Sequence, residues 1–327
     1  MMKKMNRIIF FNNTPTSEKG GVALILVVWV LVILIVIVGE FSYSMRTELN
    51  IMRNFKEEEE AYQLALSGIE LAKIEIIAAN NSPYVYLNED GIMVFGNKDE
   101  NPLREGKIEK GSFTYTITDE DRKLNINNAT IQQLKFIIQS AGVEITDVDT
   151  IVDSIVDWRD TNDLHMLNGA EEDYYQSLEK PYSCKDGPFD VVNELMLVKG
   201  VTREIFYGSS RRVESTTGDE EEIKYKGVEQ YFTSWGSNAV NINTAPETVL
   251  EAVLGAGAAD GIIKQREVSP FINPVGNRKI MSSFFTIIST GAIRDGTIKR
   301  TIKVVLRKND KKVDTIYWND NFIQQAV

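Results

Sequence analysis

The chain has 327 residues, enough for two modest domains or for one domain with a large insertion. Its 36 basic and 47 acidic residues give a net charge of −11, which disfavours a protein that binds phosphate backbones over a broad face. A single cysteine, Cys184, and a single histidine, His165, exclude an intrachain disulfide and a site built from several histidine ligands.

The first predicted element is an apolar helix that begins after Lys19-Gly20-Gly21. Residues 22–38 carry no charge, and a helix of this length spans roughly 25 Å, just enough to cross a bilayer. Glu40 closes the segment, whereas four basic residues precede it: Lys3, Lys4, Arg7 and Lys19. The positive-inside rule therefore predicts a single-pass membrane protein with its N-terminus in the cytoplasm and the bulk of the chain outside.

Small residues precede this helix instead of following it, which is unlike an ordinary secretory signal. Cleavage after Gly21 would remove a basic leader, residues 1–21, and leave the apolar helix at the new N-terminus, Val22. This order of features is typical of a prepilin. The alternatives from the residues alone are an unprocessed anchor and a buried helix of a soluble protein.

The helical pattern continues beyond the apolar segment and predicts one helix over residues 22–79. In its second half, apolar residues recur at steps of three or four, which predicts the face that packs on a globular domain. These residues are Tyr62, Leu66, Ile69, Leu71, Ile74 and Ile77. The charged run 56–60 between the two halves is expected to be a solvated helix face.

Three stretches carry a family resemblance: residues 19–24, 61–65 and 67–72. With them the chain resembles type IV pilin-like proteins and, more narrowly, the protein K family of minor pseudopilins of type II secretion. The resemblance implies an α+β fold, in which a long N-terminal helix packs on an antiparallel sheet that carries a large inserted helical domain.

The same resemblance implies a role and a processing site. The role is that of a non-enzymatic subunit at the tip of the pseudopilus, which supports its assembly and protein export across the outer membrane. The expected location is the cell inner membrane, with the C-terminal domain in the periplasm. The expected partners are other minor pseudopilins, a prepilin peptidase and inner-membrane lipid. The peptidase would cut between Gly21 and Val22, and Val22 would then be N-methylated.

Leu26 occupies the fifth position of the helix that cleavage would leave, where most pilin relatives have a glutamate. A carboxylate in a lipid-embedded helix is costly unless it meets a cation, and the usual proposal is the N-terminal amine of the preceding subunit. A subunit at the tip has no preceding subunit. The leucine therefore fits the tip position; its alternative interpretation is a lipid-facing residue of an unprocessed anchor.

The predicted sheet belongs to residues 80–118 and 281–327. Residues 80–109 read as loop with short strands, residues 112–118 as the first clear strand, and residues 284–306 as a hairpin around Asp295-Gly296. Residues 315–318 add a last short strand.

The inserted domain, residues 119–280, contains a short internal repeat, whose two copies we call the echoes. Asn125-Ile126-Asn127 precedes helices predicted near 131–140 and 148–158, and Asn241-Ile242-Asn243 precedes helices predicted near 247–254 and 260–266. Thr130 and Thr244 are the expected helix caps, with Pro246 at an early helical position. The domain is therefore expected to consist of two related units.

Residues 190–207 read as a helix, a tight turn at Gly200 and a second helix, which resembles a helix-hairpin-helix. Such a hairpin holds a DNA phosphate in some proteins and serves as a packing unit in others. Because Lys199 and Arg203 are its few basic residues and the chain is acidic, we expect no nucleic acid partner.

An acidic loop lies between the two echoes and is rich in oxygen ligands of the kind that calcium prefers. Composition alone favours a solvated loop without metal. The resemblance implies a structural calcium ion here, and the candidate ligands are Asp160, Asn162, Asp163, Glu171, Glu172 and Asp173. His165 beside them is expected to be a surface or packing residue.

Two other functions remain open from the sequence. One is a minor pilin of a type IV pilus or DNA-uptake system; the other is a membrane-anchored periplasmic enzyme. The sequence contains no recognisable set of nucleophile, acid and base.

Overall fold

The structure is a computed structural model that describes residues 18–79, 85–96, 101–214, 220–269, 271–273, 276–310 and 312–323. The helices are α1 (Glu18–Ala78), α2 (Ile131–Ser140), α3 (Ile145–Arg159), α4 (Glu172–Gln176), α5 (Arg203–Tyr207), α6 (Glu247–Leu254) and α7 (Ala256–Val268). The strands are β1 (Val85–Leu87), β2 (Met93–Phe95), β3 (Glu105–Ile108), β4 (Gly111–Asp119), β5 (Leu124–Asn125), β6 (Ser209–Glu214), β7 (Glu220–Tyr225), β8 (Phe232–Thr233), β9 (Phe284–Ile293), β10 (Ile298–Asn309) and β11 (Lys312–Asn319).

The apolar part of α1 belongs to a unit of its own that ends at Glu59. Within the part of the chain that the structure describes, α1 is the one helix long and apolar enough to cross a membrane. Every side chain from residue 22 to residue 38 is exposed, so this segment has no packing partner inside the unit. Most of the predicted leader, residues 1–17, lies outside the described residues.

The globular part of the chain begins at Glu60. In it the last part of α1 packs on an antiparallel sheet of strand order β11-β10-β9-β4-β3. The helix face predicted from large residues is correct only in its first half: Tyr62, Leu66 and Ile69 pack on the core under the sheet. Leu71, Ile74 and Ile77 are exposed, so the second half of the prediction is wrong. The buried residues of this face alternate between alanine and larger side chains, namely Ala61, Leu64, Ala65, Ile69, Ala72 and Ile76.

Close backbone approach explains the alanines on this face. A Cβ added to Gly291 of β9 would lie 1.9 Å from the Ala61 carbonyl oxygen, and one added to Gly68 of α1 would lie 2.2 Å from the Ser289 hydroxyl oxygen. Large side chains at these contacts would push the helix off the sheet.

The sheet is interrupted by the inserted domain between two neighbouring strands. The chain leaves at Asp119 of β4 and returns at Phe284 of β9, and β4 pairs with β9 from Gly111↔Ile293 to Asp119↔Phe285. The predicted β9–β10 hairpin is confirmed. Its turn has left-handed backbone at Arg294, Asp295 and Gly296 (φ 51°, 51° and 88°), which glycine and aspartate tolerate best.

The inserted domain has a hydrophobic core of its own, separate from the core under the sheet. Helices α2 and α6 begin where the sequence predicts, and Thr130 forms a capping box with Gln133. The cap predicted at Thr244 is wrong, because its hydroxyl bonds to the Asp119 carboxylate (2.5 Å) and Pro246 directly precedes α6. Aligning the two echoes pairs Thr130 with Pro246, not with Thr244.

Candidate functional site: the exposed helix and an acidic pocket

The predicted processing residues lie on α1 and are accessible. Val22 and Leu26 are exposed, and a Cβ added to Gly21 would meet nothing within 4 Å. A peptidase could therefore reach the peptide bond after Gly21 once the segment is unwound. Cleavage and N-methylation stay predictions.

The acidic loop folds around Asp157, a fully buried residue near the C-terminal end of α3. Its carboxylate accepts hydrogen bonds from the Met166 amide, at 3.1 and 3.2 Å. A Cβ added to Gly169 would lie 1.8 Å from the Asp157 carboxylate, so the loop closes over this acid only because residue 169 is glycine.

Glu171 is the most unusual group in this loop. Only 2% of it is exposed, yet neither carboxylate oxygen has a hydrogen-bond partner among the described residues. Ligand atoms of Glu171, Cys184 and Asp186 all lie within 4.8 Å of one another, and one carboxylate oxygen of Asp186 is also buried without a partner. We call this cluster, together with Asp157 and Asp160, the acidic pocket.

The electrostatics of the acidic pocket are unfavourable as they stand. Burial, and then the charges of Asp157, Asp160 and Asp186, raise the pKa of Glu171 to about 7. Burial also raises the pKa of Asp157, and it raises the pKa of the Cys184 thiol to about 12. Buried acids without a cation are costly, so the pocket is one that a bound cation would stabilise.

The donor set fits a hard cation. Carboxylate oxygens dominate it, as calcium requires, whereas a neutral thiol is a poor ligand for calcium. The unpaired oxygens of Glu171 and Asp186 are the ones free to coordinate, and those of Asp157 already accept from the backbone.

The predicted ligands do not all meet. Asp160 and Glu171 belong to the acidic pocket, whereas Glu172 accepts a hydrogen bond from the Cys184 amide (2.7 Å) at its border. Asp173 lies 3.1 Å from His165 on the surface. The two remaining candidates, Asn162 and Asp163, are exposed.

Sequence reasoning missed Asp157, Cys184 and Asp186. Asp157 precedes the loop on α3, and the other two lie more than ten residues beyond Glu171. The left-handed backbone at Asp186 (φ 49°), before Gly187-Pro188, is the turn that returns the chain to the pocket.

The helix-hairpin-helix segment holds the acidic loop in place. Its first helix is a 3₁₀-helix, Val192–Leu197, and Gly200 has the left-handed backbone of a tight turn (φ 85°). The Lys199 ammonium donates to the carbonyl oxygens of Asn168 (3.2 Å) and Gly169 (2.9 Å). This lysine therefore secures the loop and is not presented to a phosphate.

The fold and this insertion define the class: a pilin-like α+β protein whose sheet carries a helical domain between β4 and β9. A family model described as type II secretion system (T2SS), protein K, matches residues 114–211, which include most of β4 and the acidic pocket.

Curated relatives agree with this match. Type II secretion system protein K of Aeromonas hydrophila is 22% identical over 212 residues, and that of Pectobacterium carotovorum subsp. carotovorum is 24% identical over 212 residues. Each alignment covers 58% of this chain and 61% of the relative; one with a protein of Escherichia coli (strain K12), 22% identical, covers 58% and 60%.

A solved structure confirms the fold. A chain in the crystal structure of the GspK-GspI-GspJ complex from the enterotoxigenic Escherichia coli Type 2 Secretion System matches with a TM-score of 0.61 and 16% identity, over 82% of this chain and 98% of that chain. The family model and the curated relatives agree with the family resemblance of the sequence, and the solved structure agrees with the expected fold.

Proposed function

We propose that this chain is a minor pseudopilin at the tip of a type II secretion pseudopilus, where it supports assembly of the pseudopilus and protein export across the outer membrane. The observation that carries this proposal is the pairing of two features in one chain. An apolar helix segment, residues 22–38, has every side chain exposed, and a large domain is inserted between β4 and β9 of a pilin-like sheet.

The exposed helix segment lies first in the membrane and later among the helices of neighbouring subunits. It anchors the chain in the inner membrane, with the N-terminus in the cytoplasm, because apolar side chains without packing partners are stable in lipid. After a prepilin peptidase cuts behind Gly21 and Val22 is methylated, the same surface packs against the helices of neighbouring subunits.

The partners that we propose are other minor pseudopilins. Support comes from the matched crystal structure, which is a complex of GspK with GspI and GspJ. Leu26 supports the terminal position, because a subunit with nothing assembled ahead of it needs no carboxylate for a neighbour's amine. The inserted domain adds bulk that would obstruct a further subunit stacked beyond it.

A calcium ion in the acidic pocket is the second part of the proposal. Glu171 and Asp186 would coordinate it through their unpaired oxygens, with Asp160 close by. The ion would neutralise the buried acids and join the loop after α3 to the turn at residues 184–188. Its role is structural, and the chain acts without a catalytic site.

Intact mass spectrometry tests the processing step that this function requires. We expect the full chain, expressed in membranes with a prepilin peptidase, to lose residues 1–21 and to gain one methyl group. Without the peptidase it should keep its full mass, and a Gly21→Leu variant should stay uncut in its presence. An uncut wild-type chain beside an active peptidase would contradict the proposal.

A further inference from the structure

The sheet has a second face, turned away from α1, that the proposed function does not use. Side chains alternate along each strand, so the residues between those packed on α1 point to the opposite side. They are Thr114, Thr116, Thr118, Thr286, Ile288, Thr290, Thr301 and Lys303. Between one end of this outer face and the inserted domain lies a cleft of 660 Å³, which we call the sheet cleft.

Two cations in the sheet cleft have no ion pair. Arg122 and Lys303 are both half-buried, and neither has a carboxylate within 4 Å among the residues described. The Arg122 Nε is fully buried and has no hydrogen-bond partner there. Burial lowers the pKa of both residues, with Lys123 adding to the lowering at Lys303. This outweighs the opposite effect of nearby carboxylates, which are Asp119 and Glu120 for Arg122 and Glu229 and Glu120 for Lys303. Such desolvated, unpaired cations favour an anionic ligand.

The carboxylates in the same cleft do not neutralise this charge. Glu120 is already bonded to the Lys123 ammonium (2.9 Å) and to the Thr286 hydroxyl (2.6 Å). Glu229 also lines the cleft, but it forms no ion pair with Lys303. The sheet cleft is therefore a locally basic site on a chain whose net charge is −11.

The remaining walls favour a peptide over a small anion. Tyr207, Tyr317 and Phe322 offer aromatic surface, and the Phe322 ring centroid lies 5.1 Å from the Lys303 ammonium. The cleft reaches β11, the edge strand of the sheet, whose outer backbone groups can pair with an extended segment.

We propose that the sheet cleft binds an acidic peptide segment of another protein. Lys303 and Arg122 hold its carboxylate, and the aromatic side chains and the edge of β11 hold its backbone and apolar groups. This inference does not depend on the chain being a pseudopilin, because it rests on the cleft alone.

Fluorescence anisotropy tests this with the full chain in detergent and a labelled peptide of three Glu-Tyr repeats. We expect it to bind at least about tenfold more tightly than a peptide of three Gln-Tyr repeats, and higher salt should weaken the complex. Equal affinities for the two peptides, or binding to neither, would overturn the proposal. Displacement by inorganic phosphate as effectively as by unlabelled peptide would overturn the choice of a peptide.

Substitutions locate the site. Lys303→Gln should weaken binding of the acidic peptide by about tenfold, the cost of one charge-assisted contact, and Lys303→Arg should restore most of it. Lys110→Gln is the matched control, because Lys110 is an exposed cation in the turn between β3 and β4. Circular dichroism verifies that each variant is folded. A folded Lys303→Gln variant that binds the acidic peptide as tightly as the wild-type chain would contradict the assignment of the site to the sheet cleft.

Discussion

The two related units of the inserted domain are built on the same contacts. In the first unit, the Asn127 side chain both accepts from the Phe189 amide (2.7 Å) and donates to its carbonyl (3.0 Å). In the second, Asn243 makes the same pair of bonds with Ile272, at 2.8 and 3.2 Å. Each asparagine therefore acts like one residue of a β-ladder and ties the helix entry to the segment that closes the unit.

An arginine repeats in the same way. Arg159 at the end of α3 donates to the carbonyls of Ile126 and Ala129, and Arg266 near the end of α7 donates to those of Ile242 and Ala245. These carbonyls precede α2 and α6 at matching positions.

The units differ in the length of the segment between the arginine and the residue that bonds to the asparagine, which is Phe189 in the first unit and Ile272 in the second. The first has 29 residues there (160–188), the second only five (267–271). Most of the acidic pocket lies in the longer connection. The comparison teaches that a shared scaffold supports both units, and that the pocket is an addition whose buried acids the scaffold does not neutralise.

The largest expected effect comes from the arginines. Arg159→Met and Arg266→Met should each lower the free energy of unfolding by about 2–4 kcal/mol, because buried carbonyls lose charged donors. Similar losses in denaturant melts of the two variants would support equivalent scaffolds. Arg278→Met, at an exposed site, is the control and should change little. A loss confined to one unit would break the comparison.

Calcium should stabilise the chain through the first unit and not through the second. At a concentration 100 times its Kd, calcium should stabilise the wild-type chain by about 2.7 kcal/mol, and a chelator should reverse this. Glu171→Gln should abolish the gain, whereas Glu179→Gln at an exposed position and Arg266→Met in the second unit should keep it. A wild-type melting temperature that calcium does not change would rule out the proposed clamp.

The asparagines give a finer test of the shared scaffold. Asn127→Ala and Asn243→Ala each remove one donor and one acceptor, and we expect losses of about 1–3 kcal/mol in thermal melts. Asn277→Ala, at an exposed position, provides the baseline. Should either substitution be neutral, that unit does not depend on its ladder-like contact.

The pH dependence is the smallest expected effect. With calcium removed, the pKa of Glu171 is raised to about 7 in the folded chain, above its unfolded value of 4.5. The folded state therefore binds the extra proton, and stability falls as the pH rises towards 7, by about 1 kcal/mol from pH 6 to pH 7. Glu171→Gln should make the free energy of unfolding nearly independent of pH over this range. An unchanged slope of stability against pH in this variant would show that another group titrates.

Patterns within one segment were predictable from sequence. The length and polarity of α1, the β9–β10 hairpin and the echoed Asn-Ile-Asn segments all follow from local periodicity and turn residues. The packed face of α1 was predictable only in part, because its alanines are buried by close approach to Gly291, a contact distant in sequence.

The acidic pocket was predictable only in part, for the same reason. Asp160 and Glu171 lie in the acidic loop, but Cys184 and Asp186 join them through a turn that composition does not reveal. The β6–β7 hairpin was missed because its strands are polar and lack alternation.

The central claim, a subunit of protein export, is tested most directly by the proteins that the source organism releases into its medium. Quantitative mass spectrometry of culture supernatants should find a set of proteins lost when the gene is deleted, restored by the wild-type chain and not by the Gly21→Leu variant. An unchanged set of released proteins in the deletion strain would contradict the account.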